Sequence, residues 1–196
     1  MKHNWKWAYN PFEKVAGWKA FGIGLIILCI TTITGYFFNT VFYGISIKTV
    51  PCVSLGRAFS LQGTGLAVLV IVMYITALLF TKNVRFQDIL GTVTLAKYPL
   101  FFSLIPIILF GNRLNEFTEK IMSASINEMI KLITISDYIF LLVFSIMAFA
   151  IIIWEIVLLF NAFRVSTNLK GLKLAILFLS IMFISEIITF ILVLII

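Results

Sequence analysis

Four stretches of this chain run for twenty residues or more with hardly a charge: Trp18–Tyr43, Leu61–Phe80, Tyr138–Asn161 and Leu172–Ile196. A helix needs about 20 residues to cross the roughly 30 Å hydrocarbon core of a bilayer. Each stretch is apolar on every side, as a spanning helix must be. Of the 196 residues, 62% are hydrophobic and 12% charged, against roughly 45–50% and about 25% in an ordinary globular chain. A soluble enzyme of normal composition and a disordered chain are both excluded. The expected class is an all-α, polytopic integral membrane protein, a bundle of five transmembrane helices.

The fifth span needs an argument. The segment between Lys97 and Gly111 has 13 residues and reaches only about 20 Å as a helix. Extending it back through Ile89–Ala96 gives a span Ile89–Phe110 that crosses with Lys97 inside. A re-entrant segment is the alternative. Pro99 and Pro106 fall within this span; Pro99 releases the backbone bond near Leu95 and kinks the helix.

Sidedness follows from Lys and Arg, which collect on the cytoplasmic side. With five spans, one side carries Lys2, Lys6, Lys14, Lys19, Lys82, Arg85, Arg164, Lys170 and Lys173. The other carries only Lys48, Arg57, Arg113, Lys120 and Lys131. The N-terminus is expected inside and the C-terminus outside. Lys2 to Lys19 ahead of an apolar run superficially suit a signal peptide. The run is too long for a signal core and lacks a clear cleavage site, so an uncleaved first span is expected. Trp5, Trp7, Tyr9 and Trp18 suit the aromatic belt of the same interface.

Residues 113–134 read as an amphipathic helix. Glu116, Lys120, Asn127 and Lys131 share one face, with Leu114, Ile121, Met129, Leu132 and Ile133 roughly opposite. Such a helix lies on the outer membrane surface or packs over the bundle. No repeat, linker or low-complexity tract divides the chain, so 1–196 is one membrane domain.

The net charge of +7 fits basic residues facing anionic headgroups, not nucleic acid, because no basic stripe or finger motif accompanies it. His3 is the only histidine, which leaves no zinc site, no HExxH helix and no Ser-His-Asp triad. Cys29 and Cys52 form no disulfide framework. No catalytic residue, metal or cofactor is expected, and so no enzyme.

Three charges fall inside spans, where they are expensive and mark candidate function. From mid-span, Glu155 lies about 8 Å and Lys97 about 4 Å toward the cytoplasm, and Glu186 about 3 Å outward. Lys97 and Glu155 match closely enough in depth to pair. Glu186 joins through a water or its own stem, or stays neutral and donates to a backbone carbonyl or Thr189. A structural ion pair and a midplane relay or substrate site are the two readings.

Small residues recur every four positions on two helices: Ala16, Ala20 and Gly24, and Gly63 with Ala67. Such stripes let backbones approach closely, either within the bundle or across a homodimer contact. Arg164, Lys170 and Lys173 bracket the last turn, as a rim for anionic lipid headgroups or as topology anchors.

Asn10-Pro11-Phe12 precedes the spans, Tyr98-Pro99 breaks the third, the fourth ends in WEIVLLFNAFRVS (Trp154–Ser166), and Lys170-Gly171 leads into the last. In this layout, over about residues 10–196, the chain resembles the bacterial branch of the Yip-one (Ypt/Rab-interacting protein) domain membrane family. The resemblance implies a five-span protein of the bacterial inner (cytoplasmic) membrane. Eukaryotic members are linked to small GTPases and vesicle traffic. The long cytosolic N-terminus and the acidic-Leu-Tyr-Gly-Pro motif of those members are missing here, so GTPase binding is not carried over.

Two functions remain in view. One is a non-enzymatic membrane organiser, or a scaffold for lipid or an unidentified protein partner. The other is a small secondary transporter or ion-coupled carrier using Glu155, Glu186 and Lys97. Five spans do not divide into equal inverted repeats, although a dimer supplies a second half.

Overall fold

The computed structural model describes residues 9–49, 54–81, 84–123 and 134–195. Lys2, His3, Trp5, Lys6 and Trp7, Cys52, Lys82 and residues 124–133 of the expected surface helix lie outside them. A 3-10 turn, Pro11–Glu13, leads into α1 (Gly17–Phe37). A hairpin follows, β1 (Thr40–Tyr43) and β2 (Ser46–Thr49). Then come α2 (Leu55–Phe80), α3 (Phe86–Ala96), α4 (Pro99–Ser123), α5 (Ile135–Thr167) and α6 (Gly171–Ile195). Five segments are long and apolar enough to cross a membrane: Gly17–Phe37, Leu55–Phe80, Phe86–Ile121, Ile135–Thr167 and Gly171–Ile195. The fold is all-α apart from the hairpin, and consistent with a multi-pass membrane protein.

The boundaries correct the sequence reading in three places. The first span was expected to reach Tyr43, but α1 ends at Phe37. Its end is set by Asn39, whose φ of 52° is left-handed, the conformation that terminates helices at this position. Phe38 and Asn39 N–H groups close back onto Gly35 and Tyr36 carbonyls. The β-branched and aromatic residues beyond Asn39 then pair as strands, with Tyr43 opposite Ser46 and Gly44-Ile45 as the turn. Glycine with φ of 56° takes the first turn position, as two-residue hairpins favour. The second helix starts at Leu55, six residues before Leu61, with Ser54 accepting from the Arg57 N–H as its N-cap.

The third correction concerns the outer surface helix. α4 runs without interruption from Pro99 to Ser123, so residues 113–123 continue the third span and do not start a separate element at 113. Pro99 does break the helix. It stands at the first position of α4, where its missing N–H costs nothing. The break is stitched by short-range bonds: Lys97 N–H to Thr94 O, Tyr98 N–H to Leu95 O, and the Leu100 and Phe101 N–H groups to Lys97 and Tyr98 O. Pro106 lies inside α4, which continues through it.

α3 is the centre of the bundle. Every residue from Gly91 to Lys97 is buried, and α3 packs against α1, α2 and α5. Its sequence explains the position. Gly91, Thr92, Thr94 and Ala96 are small, and the threonines return their hydroxyls to their own helix, at Asp88 O (2.7 Å) and Leu90 O (2.6 Å). In lipid, apolar burial between helices gains little over lipid contact, so close backbone approach decides which helices meet. A Cβ at Gly24 would strike the Thr94 carbonyl carbon at 2.6 Å, and one at Gly91 would strike the Gly17 carbonyl. With Ala20 fully buried, this is the α1–α3 seam. α6 packs chiefly on α2 and barely touches α5. The 3-10 turn plugs the bundle with Phe12, 1% exposed, and Asn161 Nδ2 donates to Tyr9 O at 2.9 Å to hold it on α5.

Candidate functional site: a buried charge cluster at the hairpin tip

The hairpin does not lie across the end of the bundle. All four residues of β1 are buried, and the turn reaches the middle of α2, where a Cβ at Gly65 would collide with the Gly44 backbone N–H. Irregular backbone at such depth is tolerated only when enclosed by protein. α2 supplies the seat, and the α3–α4 break, α5 and α6 supply the polar partners.

Lys97, at the α3–α4 break, is 3% exposed. Its ammonium donates to the Gly44 carbonyl at 2.5 Å and to Glu155 Oε1 at 2.6 Å. The break matters here: Lys97 and Tyr98 lie between the two helices, and Lys97 turns toward the hairpin from there. Glu155 of α5 is fully buried, and its Oε2 has no hydrogen-bond partner among the described residues. Glu186 of α6 approaches from the other side, and the Ile45 N–H donates to its Oε1 at 2.9 Å. Adjacent residues of one turn thus tie together α3–α4, α5 and α6. The depths agree. Lys97 lies about 16 Å from the start of α3, Glu155 about 18 Å from the end of α5, and Glu186 about 22 Å from the start of α6.

The expected pairing of Lys97 with Glu155 is therefore a direct contact. Glu186 is brought to the same tip, where its Oε1 accepts from the Ile45 backbone N–H. Beside the pair is a cavity of about 10 Å³ lined by Gly44, Gln62, Leu66, Lys97 and Leu100, among others. That is the size of one water. Gln62 is 8% exposed and its amide meets the Thr32 hydroxyl, which also donates to Leu28 O at 2.8 Å. One hydroxyl proton cannot serve both acceptors. Turned so that its NH₂ donates to Thr32, the amide resolves the conflict.

The remaining candidates scatter. Ala16 is exposed at the N-cap of α1, while Ala20 and Gly24 pack on α3. Gly63 has open space around it and Ala67 is exposed, so this stripe faces away from the bundle, and the glycine that packs is Gly65. Arg164, Lys170 and Lys173 are exposed together at one end, with Lys173 Nζ 5.3 Å from the centre of the Phe80 ring. Among the described residues no group of three His, Cys, Asp or Glu side chains gathers to hold a metal.

Gly44, Ile45, Gln62, Gly65 and Thr32 were absent from the sequence reading of the site. One signal was available: TVFYGISIKT alternates β-branched and aromatic residues around a glycine, the pattern of a tight hairpin. Nothing in the sequence says that this hairpin folds inward. Comparison with known proteins finds no matching family model, no matching curated protein and no matching solved structure.

Proposed function

We propose that this chain is a non-enzymatic membrane organiser, a five-span scaffold whose buried charges lock a re-entrant hairpin into a rigid bundle. The observation that carries the reading is the closure of the cluster. Lys97 spends two of its three donors on Gly44 O and Glu155, and the adjoining cavity has room for about one water. A carrier site needs space for its cargo and a route to either face. The rim of Arg164, Lys170 and Lys173 is the surface offered to anionic headgroups, each basic residue contributing about 1 kcal/mol near such a surface. Placement in a bacterial inner membrane, N-terminus inside, and membership of the Yip-like family are part of this proposal. They rest on the Lys and Arg distribution and on the sequence layout.

The ion-coupled carrier is the second reading, favoured by the surplus of carboxylates over cations in the cluster. Liposome flux separates the two. The organiser reading expects no proton or cation flux above empty vesicles from the wild type, and crosslinking to a defined lipid or protein partner in native membranes. Flux that Glu155→Gln and Glu186→Gln abolish, with folding intact, would establish the carrier instead.

A further inference from the structure

At the end of the bundle opposite Arg164, Lys170 and Lys173, α4 and α5 frame a groove of about 500 Å³. Pockets that hold small molecules run from roughly 300 to 1,000 Å³. Phe110 of α4 and Phe140 of α5 line it, their ring centres 5.7 Å apart. Ile135, Ile139 and Val143 recur every four residues along α5 as one apolar stripe, and they are 80%, 59% and 46% exposed. The mouth of the groove holds a charge. The Arg113 Cζ lies 4.8 Å from the centre of the Phe140 ring. Its Nη2 donates to Ser136 Oγ at 2.6 Å and to the Ser136 carbonyl at 3.3 Å. Those contacts fix the guanidinium over the groove.

The depth suits a lipid. Lys97 lies about 4 Å to the cytoplasmic side of mid-span, and Arg113 is about 24 Å farther along the helix axis, so about 20 Å beyond the midplane. The headgroup layer runs from about 15 to about 22 Å. From there Ile135–Phe144 carries the groove about 14 Å down α5, most of the roughly 15 Å of one leaflet's hydrocarbon. The charges narrow the headgroup. Both hydrogen bonds of Arg113 leave from Nη2, so among the described residues Nε and Nη1 keep their donors. A guanidinium with donors to spare suits a phosphate, which it holds bidentately. The surroundings are acidic. Asp137 Oδ1 lies 3.7 Å from Arg113 Nη2, and its Oδ2 accepts from the Thr134 N–H and hydroxyl. Exposed Glu116, three residues beyond Arg113 and its neighbour on the helix surface, makes no ion pair among the described residues. Glu119 and Lys120, both exposed, offset each other. One cation among these carboxylates matches a headgroup that carries phosphate and ammonium together, not one with net negative charge.

We propose that this groove binds one zwitterionic phospholipid, with its phosphate on Arg113, its ammonium toward Glu116 and one acyl chain along Ile139 and Val143. The proposal rests on the organiser reading only in taking the bundle to span a bilayer. It uses neither the buried charge cluster nor the basic rim at the other end.

Native mass spectrometry of the full chain in detergent tests this, with equal amounts of phosphatidylethanolamine and phosphatidylglycerol of identical acyl chains. The wild type is expected to retain one phosphatidylethanolamine. Arg113→Ala is expected to weaken that retention about tenfold, the loss of charge-assisted hydrogen bonds. Val143→Trp fills the groove from an exposed position, leaves Arg113 in place and is expected to abolish retention. Ile153→Trp, also at an exposed position of α5 but outside the groove, is expected to keep it. The helical circular dichroism signal checks that each variant folds. No retained phosphatidylethanolamine in the wild type overturns the proposal, as does retention that survives either Arg113→Ala or Val143→Trp. It also falls if those variants displace phosphatidylglycerol instead, or if Val143→Trp splits a dimer, which would put a second copy in the groove. Each such failure leaves the organiser reading standing, because flux and crosslinking judge that reading separately.

Discussion

Lys97 brings three N–H donors into a site that offers it a backbone carbonyl and a carboxylate. Removing the ammonium leaves Glu155 buried without its counter-charge, a change that costs about 3–5 kcal/mol in folded proteins. Lys97→Met is therefore expected to lower the unfolding temperature in detergent sharply. Lys97→Met with Glu155→Leu should recover part of the loss, because an apolar pair replaces a buried ion pair at little cost. Unchanged unfolding of the single variant would mean that the pair does not hold the bundle. Gly44 is the other sensitive residue. Its positive φ alone costs an alanine about 1–2 kcal/mol, and the new methyl would meet the Glu186 carboxylate. Gly44→Ala should destabilise by at least that amount in the same measurement.

At the scale of elements, pairs of glycines two residues apart, on opposite faces of their helix, make their own controls. Gly24 and Gly65 face neighbouring backbone, while Gly22 and Gly63 have nothing within 4 Å. Gly22→Ala and Gly63→Ala should be neutral or stabilising by about 0.5–1 kcal/mol, the ordinary helix preference. Gly24→Ala and Gly65→Ala should destabilise by about 1–3 kcal/mol, the usual cost of overpacking. Thermal unfolding of the four variants side by side checks the α1–α3 seam and the hairpin seat together. The same glycines show what could be read in advance. Long apolar runs announced the helices, and equal depth announced the Lys97–Glu155 pair, because both depend on counting along one chain. Spacing alone favoured Gly63 over Gly65, since a stripe says nothing about which face meets a neighbour. The end of α1 was missed because apolarity is shared by helix and buried strand. The marks of the turn were small ones, an asparagine able to adopt positive φ and a glycine between β-formers. The long continuation of α4 was missed because its charged face resembles that of a surface helix.

For the whole molecule, charge and shape have separate uses. Charged side chains that are exposed collect at the ends, and the three in the cluster meet at mid-height around a turn of chain that is not helical. Replacing Arg164, Lys170 and Lys173 with alanine should weaken retention of anionic lipid by about fivefold per charge, following about 1 kcal/mol each. Native mass spectrometry of the purified protein with mixed lipids reads this out. Equal lipid retention by the triple variant would reduce those residues to orientation anchors.

The central claim is that the Gly44–Ile45 turn sits at mid-depth, held by Lys97, Glu155 and Glu186. Its most direct measurement is cysteine labelling by a membrane-impermeant maleimide in vesicles, in a chain carrying Cys29→Ser and Cys52→Ser. Lys48→Cys, on the exposed part of β2, should label readily from one side. Ile45→Cys, three residues away, should stay protected from both sides until the protein is unfolded. Equal labelling at the two positions would place the hairpin on the surface and contradict the account.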